Sequence, residues 1–167
     1  QIYFFQKQYD DLISYAKIML GKIISSREAE LNRIIVEAYY RKKEYVNAIN
    51  YFEIFFEKTT QSTALDKLQI GHAYHNIHDY DNAIRYLDPL QFQEDSSNQF
   101  VAYYLANSYL NIEEKTYAIK SFKKAADYDY NLIIKEDAYF NYAKLSYELD
   151  LPFEKPASIT SIIFRGA

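Results

Sequence analysis

Apolar side chains recur every three or four residues along most of this 167-residue chain, the period of one helix face and not the alternation of a strand. Ile35, Ala38 and Tyr39 form one stripe, and Ala48, Phe52 and Phe55 form the next. Short polar segments separate the stripes: Arg41-Lys42-Lys43-Glu44, Asn76-Ile77-His78-Asp79 and Asn111-Ile112-Glu113-Glu114. Links of that length lay consecutive helices side by side in opposite directions. The pattern predicts an all-α chain built from antiparallel helix pairs.

The pairs repeat. Residues 29–63, 64–98 and 99–133, superposed at a spacing of 35, share three invariant columns: Tyr39/Tyr74/Tyr109, Ala48/Ala83/Ala118 and Ile49/Ile84/Ile119. Ile35/Ile70/Leu105, Val36/Gly71/Ala106 and Phe52/Leu87/Phe122 fall in the same register. A fixed period of this size marks stacked supersecondary units. Small residues on both helices let the two backbones approach, so a larger side chain at Ala83 or Ala118 should force the pair apart. Pro89 falls inside the second helix of the middle unit. It lacks an amide hydrogen and clashes with a preceding carbonyl, so that helix should end near Asp88.

Partial units flank the three whole ones, giving a single repeat domain over residues 1–167. Residues 9–16 read as the second helix of a unit within 1–28, its first helix mostly missing before residues 2–5. Residues 137–149 read as the first helix of an atypical unit within 134–167, with Ala143 in the small position. The segment 152–157 should be a short or displaced second helix, because Pro156 stands where Ala is expected. The chain begins at Gln1 without a charged and apolar leader, which reads as a piece cut from a longer array. Its apolar ends, residues 2–5 and 162–164, would then be open to self-association.

Within a unit the order is a large apolar residue, a small one, Tyr three positions on, Ala nine after that and a bulky side chain four later. Ile70, Gly71, Tyr74, Ala83 and Leu87 fit it, as do Leu105, Ala106, Tyr109, Ala118 and Phe122. These residues resemble the tetratricopeptide repeat family, over roughly residues 1–155. They depart from it in the period, the family's usual repeat being about 34 residues. At the unit start Asn32, Lys67 and Ala102 replace a frequent aromatic.

The resemblance implies a right-handed α-solenoid, an open superhelix with a concave groove lined by the first helices. It also implies which side chains face that groove: Glu30, Arg33, Glu37 and Tyr40; Leu65, Leu68, His72 and His75; Phe100, Tyr103, Asn107 and Leu110; Asp137, Phe140, Lys144 and Tyr147. Such a groove takes a protein or peptide segment, with Phe100 and Tyr103 as aromatic anchors. The family's carboxylate clamp sets a Lys and an Asn one turn apart where this chain has Arg33 and Glu37, so clamping is not expected. A narrower resemblance of residues 138–155 to large tetratricopeptide proteins of bacterial cell envelopes implies periplasmic or outer-membrane association. It carries an alternative: these faces pack on other parts of the same array.

Composition narrows the chemistry. Three glycines build no phosphate-binding loop and no Ser nucleophile motif occurs, so neither enzyme activity nor a cofactor is expected. The absence of cysteine removes disulfides and thiolate metal sites. A net charge of −4 disfavours nucleic acid and anionic lipid. The longest apolar run, residues 100–106, is too short to cross a bilayer. His72, His75 and His78 lack a completing ligand other than Asp79, so no metal is expected. The pairs Asp10-Asp11, Glu113-Glu114 and Glu136-Asp137 should stand at helix starts, where negative charge suits the dipole. Arg41-Lys42-Lys43 and Lys120/Lys123/Lys124 read as solvated faces, and most of the 19 tyrosines fit packing positions rather than a base-stacking platform.

Overall fold

The computed structural model describes residues 2–24, 27–90 and 97–152, with side chains from residue 7 onward. Among these residues the chain is all-α, with eight helices and no strand. It divides into two compact units, Gln1–Asp79 and Tyr80–Ala167. Within each, consecutive helices pack pairwise, consistent with a helical repeat. No described helix is long and apolar enough to cross a membrane.

The first unit contains α1 (Ile2–Leu20), α2 (Glu28–Arg41), α3 (Tyr45–Lys58) and α4 (Ala64–Asn76). Ile13 and Ala16 of α1 pack with Ile35, Ala38 and Tyr39 of α2 and Ala48 of α3 in one core. Phe52 is wholly buried on the inner face of α3 with Phe55 one turn on, and burying one such ring contributes about 1.5–3 kcal/mol. α4 opens on a reciprocal cap: the Thr63 hydroxyl accepts from the Asp66 amide at 3.2 Å while the Asp66 carboxylate accepts from the Thr63 amide at 2.7 Å.

The second unit contains α5 (Tyr80–Leu87), one 3-10 turn (Asp88–Leu90), α6 (Asn98–Asn111), α7 (Lys115–Asp127) and α8 (Leu132–Glu148). α5 stops at Leu87 and Pro89 sits inside the 3-10 turn, the ending that its missing amide dictates. Ala106, Ala118, Phe122, Ala138 and Tyr142 join α6, α7 and α8 in one core. Gln99, fully buried, fastens the link between α7 and α8. Its side chain accepts from the Asn131 amide at 2.6 Å and donates to the carbonyls of Tyr128 and Asn131 at 3.0 Å. Asn131 in turn caps α8, accepting from the Ile134 amide at 3.1 Å.

The period of 35 is visible in burial and in backbone. Ala48, Ala83 and Ala118 are fully buried, as are Phe52, Leu87 and Phe122. Lys43, His78 and Glu113 all have positive φ, at 60°, 65° and 64°. The amides that follow, of Glu44, Asp79 and Glu114, donate to the carbonyls of Tyr39, Tyr74 and Tyr109 at 3.0, 3.1 and 2.9 Å. This closing arrangement satisfies carbonyls that a helix end leaves open, and it normally uses Gly at the left-handed position. α8 closes the same way, with Asp150 at φ 51° and the Leu151 amide donating to Ser146 at 2.9 Å. Asp150 lies seven residues past Ala143, as Lys43, His78 and Glu113 lie seven past Val36, Gly71 and Ala106. That spacing places Ala143 in the small position.

Several sequence expectations shift. α8 begins at Leu132, ahead of Asp137, because Asn131 caps it there. α1 runs unbroken from Ile2, so residues 2–5 belong to the same helix as the stripe at 9–16. Asp10-Asp11 and Glu136-Asp137 therefore lie inside helices and not at their starts. Glu44 and Glu114 do precede α3 and α7, yet neither side chain makes a capping bond. Pro156 and residues 162–164 lie outside the described residues.

Candidate functional site

In the first unit, α2 and α4 bring Arg33, Glu37 and Tyr40 against Leu65, Leu68 and His72. Arg33 Nε pairs with Oδ1 of the buried Asp66 at 3.1 Å. Gln69 Nε2 donates to Glu37 Oε2 at 3.0 Å, and Arg41 Nε to Glu37 Oε1 at 2.6 Å. These bonds leave two adjoining depressions. One, of about 500 Å³, has Glu30, Arg33, Ile34 and Glu37 in its walls. The other, of about 400 Å³, lies among Tyr40, Tyr45, Leu65 and Leu68. Leu65, 56% exposed, borders both.

His72 is half-buried in an aromatic corner, its ring 5.6 Å from Tyr40 and 5.7 Å from Tyr45. Asn76 Nδ2 donates to the His72 carbonyl at 2.8 Å and lies 3.0 Å from His72 Nε2. An amide nitrogen only donates, which assigns the imidazole proton to Nδ1, 2.7 Å from the Tyr40 hydroxyl oxygen. Burial, with the neighbouring His75 second, pushes the His72 pKa down to about 4. Burial lowers His75 as well, with His78 adding to it. Both imidazoles are therefore neutral at pH 7.

In the second unit the groove positions divide into two groups. Phe100, Tyr103, Asn107 and Leu110 of α6 are all half-buried. The Tyr103 ring meets Phe122 edge-on at 6.3 Å and its hydroxyl donates to Asp137 Oδ2 at 2.7 Å. Burial, then the Asp137 bond, pushes the Tyr103 pKa up to about 12. Asn107 Nδ2 donates back to the Tyr103 carbonyl at 2.9 Å, and Leu110 packs against the core. On α8 the arrangement is open: Phe140 is 67% exposed, Tyr147 is 90% exposed, and Lys144 between them is exposed too.

The sequence reading missed Ile133, 80% exposed and one seven-residue step before Phe140. Ile133, Phe140 and Tyr147 share one helix face at that spacing. The missed signal was Asn131, a capping residue directly before Leu132-Ile133-Ile134. Tyr45, Arg41, Lys43 and Gln69, which line the smaller depression of the first unit, were also left out of the groove. Arg41 and Gln69 stand beside counted positions, Lys43 sits in the link and Tyr45 opens α3. No protein-family model matches the chain, and no curated protein matches it.

Proposed function

We propose that the chain is a non-catalytic scaffold of tetratricopeptide type, its helix pairs wound as a right-handed superhelix, that binds a protein or peptide segment on its first-helix faces. The observation that carries this reading is the stripe of Ile133, Phe140 and Tyr147 along α8. Large apolar side chains lined up on one exposed helix face are what a binding surface presents, and aromatic residues are frequent anchors there. The recurring link geometry and the buried columns support the repeat architecture beneath it.

A second reading takes the same exposed stripe as a packing face. There α8 would receive further parts of a longer, envelope-associated array, or a second copy. The two readings separate by experiment. Peptides selected on the chain from a random display library should bind with micromolar affinity, and Phe140→Glu with Tyr147→Glu should weaken them at least tenfold. The helical circular dichroism should be unchanged, since both side chains are exposed. Binding that survives the double substitution contradicts the first reading. Dimers that the same substitution dissolves, seen by light scattering, favour the second.

A further inference from the structure

The smaller depression of the first unit has one-sided charge. Its walls are Tyr40, Tyr45, Leu65 and Leu68, and its rim carries Arg41 and Lys43 with no carboxylate among the lining residues. Glu37, close by, has both oxygens engaged, one by Arg41 and the other by Gln69. Lys43 makes no ion pair among the described residues. Its backbone is held at φ 60°, and the carbonyls of Ala38, Tyr39 and Tyr40 are already satisfied by the link amides. The helix end therefore has no need of either cation as a hydrogen-bond donor.

The depression, of about 400 Å³, has room for one large apolar side chain. Tyr40 and Tyr45 stand edge-on with ring centroids 5.9 Å apart, and Leu65 faces solvent opposite them. Arg41 is ion-paired with Glu37, so in a chain of net charge −4 Lys43 is the cation that gives the apolar floor a positive rim. Complementary charge selects partners more than it adds raw affinity.

We propose that this depression docks an acidic peptide segment, seating one large apolar side chain between the tyrosines and Leu65–Leu68 and a flanking carboxylate on Lys43. The inference rests on the first-helix reading above and names the partner for it. Arg33 and Arg41 play no part in the carboxylate contact, being held by Asp66 and Glu37.

Fluorescence anisotropy with the whole chain tests it, using fluorescein-labelled hexapeptides DDLFDD and KKLFKK in 50 and 300 mM NaCl. The acidic peptide should bind at least tenfold tighter than the basic one, and several-fold less tightly at the higher salt, where screening shortens to about a few ångströms. Lys43→Glu should weaken it about tenfold. That variant keeps its fold, because Glu113 already occupies the equivalent left-handed position. Leu65→Ser should weaken it comparably. Equal or tighter binding of KKLFKK, lost in Leu65→Ser, overturns the charge assignment and leaves the first-helix reading intact. Failure of both peptides overturns the proposal, and the α8 substitutions then decide the wider reading on their own.

Discussion

Tyr74 donates its hydroxyl hydrogen to Glu53 Oε1 at 2.6 Å, and 35 residues further on Tyr109 does the same to Asp88 Oδ1 at 3.2 Å. The first bond ties α4 to the middle of α3 and the second ties α6 to the 3-10 turn that follows α5, each inside its own compact unit. At Tyr39 the hydroxyl instead accepts from Lys17 Nζ at 2.8 Å, and Lys17 lies over the Tyr39 and Tyr51 rings at 5.3 Å. The tyrosine column is thus a strut between neighbouring repeats whose partner changes sign while its place does not. Tyr74→Phe should cost about 1 kcal/mol in urea unfolding. A double-mutant cycle with Glu53→Gln should return most of that as coupling.

The small columns set the helix separation. Ala118→Leu should destabilise the chain by about 1–3 kcal/mol through overpacking, and Phe122→Ala by about 3–5 kcal/mol through the cavity it leaves. Both residues are wholly buried in the second unit. Unfolding midpoints within a few tenths of the parent would contradict the packing described for α6 and α7.

The links store strain that can be relieved. Lys43, His78 and Glu113 hold a left-handed conformation that costs a side-chain-bearing residue about 1–2 kcal/mol. Glu113→Gly should raise stability by about 0.5–1 kcal/mol, the entropy of the unfolded chain offsetting part of the gain. A loss of stability would mean that the Glu113 side chain contributes more than its backbone costs.

His72 gives the fold a pH dependence of known sign. Its pKa falls from the ordinary 6.5 to about 4 in the folded chain, chiefly through burial and then through His75. Between those values the unfolded chain holds the extra proton, so stability is full above pH 6.5 and falls as pH drops toward 4. With solvent screening at this partly exposed site, the loss should be about 1 kcal/mol. Carboxylate titration is common to both proteins, so comparing wild type with His72→Gln isolates the effect. The substituted chain should lose less stability between pH 7.5 and 5, as read by urea denaturation.

Much of the architecture was legible because packing leaves a periodic trace in the sequence. Ala48, Ala83 and Ala118 recur because close backbone approach excludes larger residues, and Pro89 ended its helix because it lacks an amide. The start of α8 was misjudged because one cap, Asn131, outweighs the acidic residues that follow it. The candidate faces were less legible. Helical spacing grouped Phe100 and Tyr103 on one side of α6, but it carried no information about Phe122 and Asp137, which take up the Tyr103 ring and hydroxyl. The cross-helix contacts of Asp66 and Gln99 were invisible for the same reason. These cross-helix partners lie 29 to 33 residues away, beyond any local pattern.

The most direct test of the account is amide chemical-shift mapping by NMR while a display-selected peptide is titrated into the intact chain. Saturable shifts concentrated on the first helices, at Leu65, Phe140 and Tyr147, are the predicted result. Shifts confined to the second helices, around Tyr51, Arg85 and Tyr117, would contradict it.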